Sequence, residues 1–196
     1  HVSGGGSGDA PLVTIHYAVD APVQFQALVY VPEKAPADMF LYRKERPGLR
    51  LYAKRVLIIE SCEALVPAYL RFLRGVVDSE DVQLNVSRET LQDNRTIKGI
   101  EQGLVKQVLK TLEDLAGDDP DRYARFWSEF GQVLKEGISI DWKNKERIAK
   151  LCRFASLATP PGKLVSLQQY LDQQPEAQKE IFYLTGTDKE QLAKSP

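Results

Sequence analysis

The stretch Leu49-Arg50-Leu51-Tyr52-Ala53-Lys54, followed after one residue by Val56-Leu57-Ile58-Ile59, decides the fold class of this chain. Its first part alternates apolar with more polar side chains, which is typical of a strand with one buried face. Its second part is apolar without interruption, which favours a strand covered on both faces inside a layered sheet. The sequence therefore predicts an α/β (α+β) fold in which helices pack on a sheet.

Two more strands precede this stretch. Apolar side chains occupy alternate positions in 13–18 and again in 25–30, and Pro32 ends the second run. After the sheet, apolar residues at helical spacing predict a helix that has Pro67 in its first turn, followed by a loop over 77–86. The helical positions are Leu65, Tyr69, Phe72, Leu73 and Val76.

Three further helices are predicted in the centre of the chain, over 96–115, 121–136 and 144–151, with Gly117 and Gly137 ending the first two. A break at 159–162 separates them from a helix capped by Ser166, a strand over 181–184 and a last helix with a Thr187/Glu190 capping box.

These elements divide the chain into four parts. Residues 1–8 read as a flexible linker left from cloning, and 9–95 as a large α/β unit truncated at its N-terminus. Residues 96–158 form a helical connector, and 159–196 a small α/β unit. The linker suggests a piece cut from a longer protein.

Composition disfavours several classes of function. The 26 basic and 27 acidic residues nearly cancel, so bulk charge does not predict binding to nucleic acid or membrane. No apolar run reaches the roughly 20 residues that span a bilayer. Cys62 and Cys152 give no disulfide framework, which favours a reducing compartment. With His16 the only histidine outside the linker and no Gly-rich phosphate loop, we expect no metal site and no nucleotide held by this chain alone.

Two side-chain clusters have both a functional and a structural interpretation. A basic stretch could contact phosphates or an acidic partner, although a solvated strand face and hairpin is the favoured interpretation. It comprises Arg43, Lys44, Arg46, Arg50, Lys54 and Arg55. An aromatic stripe over 123–130 could bind a partner, but such a stripe is more often helix-packing core.

The residues with the clearest chemistry lie in Leu84-Asn85-Val86-Ser87-Arg88-Glu89-Thr90-Leu91-Gln92. Ser87 suits a helix N-cap, and a helix starting there would place Arg88 and Gln92 on one face. A guanidinium beside an amide can clamp a phosphate. By spacing alone, an ordinary surface ion pair of Arg88 is the more common outcome.

Longer phrases resemble the ninety-kilodalton heat-shock chaperones, in the form of bacterial HtpG and its mitochondrial relatives. The most specific are Arg74-Gly75-Val76-Val77-Asp78-Ser79-Glu80-Asp81, Leu84 to Gln92, and Phe130-Gly131-Gln132-Val133-Leu134-Lys135-Glu136-Gly137. Leu151-Cys152-Arg153-Phe154-Ala155-Ser156 and Ile181-Phe182-Tyr183-Leu184-Thr185-Gly186 support them. The resemblance covers about residues 9–196.

The resemblance implies the middle domain of such a chaperone: a large layered αβα unit, a three-helix coil connector and a small αβα unit. It implies that Arg88 and Gln92 contact the γ-phosphate of ATP, which is held with Mg mainly by a separate N-terminal domain. The fragment would then be inactive alone, while the parent stress-response chaperone hydrolyses ATP. The resemblance to the bacterial form also implies a cytoplasmic location. No cofactor is expected in the fragment itself.

The resemblance also implies partners. These are the N-terminal ATPase domain, unfolded clients held at a surface with Lys54, Arg55 and Leu57, cochaperones, and a second copy through an absent C-terminal domain. No nucleic acid and no membrane are expected. Two alternatives stay open: an interaction scaffold in which Arg88 is only a surface ion pair, and a nucleic-acid-binding α/β domain using residues 43–55, with no role in ATP hydrolysis.

Overall fold

A computed structural model describes residues 10–36, 39, 48–83, 95–160, 162–186 and 192. Five strands form one sheet in the order β1-β2-β5-β3-β4, namely β1 (Val13–Val19), β2 (Phe25–Val31), β3 (Leu49–Ala53), β4 (Val56–Cys62) and β5 (Arg74–Ser79). Neighbours run antiparallel except β3 and β5, which are parallel. The alternation in 13–18, 25–30 and 49–54 thus correctly predicted strands.

The helix predicted from Leu65 to Val76 is wrong. Two short 3-10 turns, Glu63–Leu65 and Ala68–Leu70, are followed directly by β5, so 77–79 are also strand rather than loop. Gly75 explains the difference: its φ of +135° is not helical, and a Cβ there would lie 2.1 Å from the Leu28 carbonyl oxygen. The backbone of β2 approaches β5 closely at this glycine, where no other residue fits.

The prediction that both faces are covered along 56–59 is also wrong. Val56 is 53% exposed and Leu57 42% exposed, and β4 is an edge strand of the described sheet. Burial in β4 begins at Ile59 and includes Cys62. The apolar run therefore combines a buried half with an exposed half beside the β3–β4 turn.

The central helices lie close to their predicted positions: α1 (Arg95–Asp118), α2 (Pro120–Lys135), the short α3 (Gly137–Ile140) and α4 (Lys145–Leu151). Gly117 does not end α1, as was predicted, because the helix continues to Asp118. α2 ends at Lys135, and Gly137 begins α3 after one intervening residue. The carboxylate of Asp119 caps α2 by accepting a hydrogen bond from the Arg122 N–H. None of the described helices is long and apolar enough to cross a membrane.

The aromatic stripe of α2 is core, as favoured from its spacing. Phe126 and Phe130 are fully buried and contact Phe72 with ring centroids 5.4 and 5.2 Å apart. The same cluster includes the inward face of the sheet, so one core joins the strands to the helices. Cys62 and Cys152 are both buried in it and form no disulfide, and burial raises the pKa of the Cys152 thiol.

The last described part is small. A two-stranded sheet joins β6 (Phe154–Ala155) to β7 (Leu164–Val165), and α5 (Leu167–Gln173) starts with the predicted Ser166 cap. Residues 181–184 are not a strand, which corrects the prediction: their apolar side chains are exposed, and no described strand pairs with them. Thr187 and Glu190 lie outside the described residues. The mixed α/β class is confirmed, while the three-layer arrangement of each unit stays a prediction.

Candidate functional site

Arg88 and Gln92 lie outside the described residues, between Gln83 and Arg95. The structure does describe both flanks of that segment. One flank is the end of β5 with residues 80–83, and the other is the first turn of α1.

Three hydrogen bonds hold the first flank, and two of them reach Gln24, the residue before β2. The Ser79 hydroxyl donates to the Gln24 carbonyl oxygen over 2.6 Å and accepts from the Asp81 N–H at 3.2 Å. The Asp81 carboxylate accepts from the Gln24 N–H at 2.7 Å. We call this ring the Gln24 clamp. Ser79 is 1% exposed and Val82 is buried, so the chain is held against the sheet just before the segment begins.

The second flank packs on the residues next to Gln24. A Cβ placed on Gly99 of α1 would lie 2.8 Å from Cγ2 of Val23, and one on Gly103 would lie 3.0 Å from the ring of Phe25. Two glycines one helical turn apart therefore let α1 approach the start of β2 more closely than other residues would permit.

Lys54 and Arg55 form the two-residue turn between β3 and β4, which we call the basic turn. Both have positive φ, 50° and 67°, although neither is glycine. The Lys54 N–H donates to the Ser79 carbonyl oxygen at 3.3 Å, and the Arg55 N–H donates to Asp78 Oδ1 at 3.1 Å. The basic turn thus lies against the end of β5, beside the point from which the chain continues toward Arg88.

Leu57 completes this end of the sheet. It lies opposite Tyr52 in the β3–β4 pair, and Tyr52 lies beside Asp78 of β5. The structure therefore brings together Lys54, Arg55 and Leu57. Of the predicted basic stretch, Arg50 lies half-buried in β3, while Arg43, Lys44 and Arg46 lie outside the described residues.

Sequence reasoning missed the clamp residues Gln24, Ser79 and Asp81. Asp78-Ser79-Glu80-Asp81 was interpreted as part of a polar loop, but its serine is buried at a strand end. The available signal is that Ser79 lies two residues after Val77, and therefore on the same buried face of β5. The partner at Gln24 requires knowledge of the pairing between β2 and β5.

A second polar cluster joins the sheet region to the helices. The Tyr69 hydroxyl donates to Asp141 at 2.7 Å, and the Arg71 guanidinium contacts both oxygens of Glu136 at 2.5 and 2.8 Å. Burial raises the pKa of Asp141, but hydrogen bonds from Asn144 and Tyr69 outweigh it and hold that pKa below its usual value. Arg71 lines a groove of about 250 Å³. Because Glu136 already occupies its guanidinium, this groove offers no ready anion site.

One protein family matches the chain over nearly its whole length. The model of the family described as Hsp90 protein matches residues 5–196. The chaperone protein HtpG of Geobacter sulfurreducens is 45% identical over 188 residues, covering 96% of this chain and 29% of that protein. HtpG of Paraburkholderia xenovorans is 50% identical over 191 residues, covering 95% and 30%. The chain thus spans less than a third of the relatives it matches.

A solved structure extends the match to the fold. The middle domain of a putative heat shock protein from Plasmodium falciparum is 30% identical and superposes with a TM-score of 0.81, over 93% of this chain and 70% of that one. Both the sequence over nearly its whole length and the arrangement of strands and helices therefore agree with one family. The chain belongs to the Hsp90 family, and its fold is that of the Hsp90 middle domain.

Proposed function

We propose that this chain is the part of an ATP-dependent chaperone that supplies Arg88 and Gln92 to the terminal phosphate of ATP held by another domain. The supporting observation is family membership together with the position of the segment: it starts at a clamped strand end beside the basic turn. The same chaperone would hold clients at Lys54, Arg55 and Leu57, and would act in the cytoplasm as a dimer joined by a further domain.

The residue types suit this role. An arginine presents a planar fork of donors that matches a phosphate and keeps its charge at any relevant pH. In phosphoryl transfer, charge spreads over the equatorial oxygens, and a cation delivered from a second unit stabilises it only after docking. Gln92, four residues on, would donate or orient a hydrogen bond to the same group.

Under this proposal the chain contacts ATP and its Mg ion at the terminal phosphate but does not itself hold them. Among the described residues there is no group of His, Cys, Asp and Glu that could hold a metal ion. The described cations at this end of the sheet, Lys54 and Arg55, are exposed and adjoin the end of β5. Bound ATP would supply the phosphoryl group, while this chain would neutralise charge at its outer end.

The test is steady-state ATP hydrolysis by the full-length chaperone carrying Arg88→Ala. Loss of a charge-assisted contact worth about 1.5–3 kcal/mol predicts a fall in kcat of roughly 10- to 150-fold. Nucleotide affinity should change little, because the contact forms fully only in the transition state of hydrolysis. Arg125→Ala, which removes only an exposed ion pair with Glu33, is the matched control. Equal kcat values for Arg88→Ala and Arg125→Ala would exclude a role of Arg88 in hydrolysis and favour the interaction scaffold.

Client binding is tested separately. We expect Leu57→Ser in the full-length chaperone to weaken suppression of aggregation of an unfolded model protein, because it removes exposed apolar surface beside the basic turn. Leu157→Ser removes the same side chain from an exposed position in a different part of the chain and should have little effect. Equal losses in the two variants would show that the effect is not specific to this surface.

A further inference from the structure

We propose that the loop over residues 140–145, which we call the Trp142 loop, is a docking surface for an acidic segment of another protein. Such a segment would place apolar side chains on Trp142 and carboxylates beside the lysines of the loop. The proposal does not depend on the phosphate contact or on the client surface. Asp141 of this loop bonds to Tyr69, which precedes the start of β5, whereas the basic turn lies against the end of that strand.

Two large apolar side chains of the Trp142 loop are exposed. Trp142 is 76% exposed and Ile140 is 52% exposed. The other tryptophan of the chain, Trp127, is 7% exposed and belongs to the core. An exposed tryptophan is unusual because its ring removes on the order of 150–250 Å² from water when it is buried. Tryptophan is also among the residues most enriched as anchors of protein–protein interfaces, so this position suits a partner contact.

The loop that carries Trp142 is fixed by hydrogen bonds. Asp141 lies between the two exposed side chains, and its carboxylate accepts from the Tyr69 hydroxyl at 2.7 Å and from the Asn144 side chain at 2.8 Å. The Asp141 N–H donates to the Gly137 carbonyl oxygen at 2.9 Å. Because Tyr69 is fully buried, these bonds tie the loop to the core. An aromatic side chain on a fixed backbone loses little conformational entropy when a partner covers it, which favours binding.

The exposed charges of the loop are mainly positive. Lys143 and Lys145 are both exposed, and the Lys145 ammonium lies 5.0 Å from the centroid of the Trp142 ring. Glu146, in the first turn of α4, is the one exposed acidic residue among residues 136–147, all of which the structure describes. Two exposed cations beside the ring therefore outnumber one exposed carboxylate.

The other charged groups of this region are paired within the chain. The Arg71 guanidinium contacts both oxygens of Glu136, and Arg147 donates two hydrogen bonds of 2.8 Å to Glu113. The carboxylate of Asp141 is used by the hydrogen bonds that fix the loop. Paired groups contribute little net field at the surface, so the lysines decide which charge a partner should carry. An acidic segment is therefore favoured over a neutral or basic one.

The first experiment compares two fluorescein-labelled peptides for binding to the 196-residue chain, measured by fluorescence anisotropy. Both peptides have leucine and phenylalanine at the same positions, and the remaining positions carry aspartate and glutamate in one and lysine in the other. We expect the acidic peptide to bind at least about tenfold more tightly at low salt. This advantage should shrink as salt is added, because the lysines are exposed and their charge is screened.

The emission of Trp142 reports whether the peptide covers this residue. Unlabelled acidic peptide should shift that emission to shorter wavelength, while the buried Trp127 contributes a constant background. Trp142→Ala should weaken binding of the acidic peptide by about tenfold or more, as expected for an interface anchor. Phe182→Ala removes an aromatic side chain that is 70% exposed in the last part of the chain, and it should bind like the unmodified chain.

A charge reversal tests the chemistry of the partner. Lys143→Glu combined with Lys145→Glu should reverse the preference, so that the basic peptide binds more tightly than the acidic one. Lys163→Glu combined with Lys179→Glu changes the net charge equally at two other exposed lysines and should leave the preference as it is.

Three results would overturn the proposal. The first is equal affinity of the unmodified chain for the two peptides, or equal losses in Trp142→Ala and Phe182→Ala. The second is binding to the 196-residue chain but not to the full-length chaperone, because a further domain of the same protein would then cover Trp142. The third is self-association of the 196-residue chain in sedimentation velocity that Trp142→Ala abolishes, since the occupant would then be a second copy.

Discussion

The hydroxyl oxygen of Tyr69 lies 2.7 Å from Oδ2 of Asp141, and this hydrogen bond ties a turn of the sheet region to the loop after α3. Asn144 donates to the same carboxylate oxygen from its side chain. Tyr69 is fully buried, and burial together with the neighbouring carboxylate raises the pKa of its hydroxyl, which stays protonated and donating. The relative placement of sheet and helices therefore depends on a polar contact as well as on the shared core.

Tyr69→Phe should lower the free energy of unfolding of the 196-residue chain by about 1–3 kcal/mol, because a buried donor to a charged group is lost without leaving a cavity. Urea denaturation followed by circular dichroism measures this. Tyr183→Phe, at a side chain that is 81% exposed, should be neutral. Equal midpoints for Tyr69→Phe and the unmodified chain would contradict a stabilising role for the bond.

Gly137→Ala should destabilise the chain by about 1–3 kcal/mol through overpacking. An added Cβ would lie 2.7 Å from Cδ1 of Ile148 and 2.8 Å from Cγ of Tyr69, and both side chains are buried. Gly117→Ala is the opposite case: nothing lies within 4 Å and the site is helical, so a gain of up to about 1 kcal/mol is expected. The melting temperatures of the two variants test this: Gly137→Ala should melt below the unmodified chain and Gly117→Ala above it. Shifts of the same sign would contradict the prediction.

The basic turn should be more stable with residues suited to positive φ. The double substitution Lys54→Asn with Arg55→Gly is expected to stabilise the chain by about 1–2 kcal/mol, since each non-glycine residue in this conformation carries a backbone cost. The same variant of the full-length chaperone should hold an unfolded model protein less well, because two exposed cations are gone. A gain in stability with unchanged client holding would remove the basic turn from the client surface.

Glu101→Gln should raise the melting temperature at pH 7. Burial and then the charge of Asp141 raise the pKa of Glu101, with Lys98 opposing them. A raised folded-state pKa gives stability at low pH that is lost as pH rises through the interval from the ordinary glutamate value of about 4.3 to the folded value. Above it, ionised Glu101 opposes folding, although partial exposure limits the gain to a few degrees.

The pH dependence supplies the check on Glu101. Below about pH 3 the carboxyl is protonated in both states, so Glu101→Gln and the unmodified chain should melt at nearly the same temperature. Glu176→Gln changes the net charge by the same amount at an exposed position and should show no such dependence. A constant difference across the pH range would contradict burial as the cause.

The strands and long helices could be predicted because their apolar positions repeat with the period of the element, as in 25–30 and along α1. The same reasoning wrongly predicted a helix over 65–76, because the apolar spacing there comes from residues buried in two turns and a strand. The close approach of the β2 backbone at Gly75 is visible only in the structure. Arg88 was identified from runs of residues that resemble the Hsp90 family, and not from the spacing of apolar residues. The clamp could not be predicted, because its partner at Gln24 is 55 residues from Ser79 in sequence and becomes a neighbour only through strand pairing.

The burial of both thiols has a practical consequence. Cys62 and Cys152 are the two cysteines of the chain, and both are covered by core side chains in the folded state. A thiol so covered reacts slowly with maleimides, and the raised pKa of Cys152 lowers its thiolate fraction further. A single cysteine introduced at an exposed position, such as Arg125, can therefore be labelled selectively with a fluorophore without first replacing the native residues.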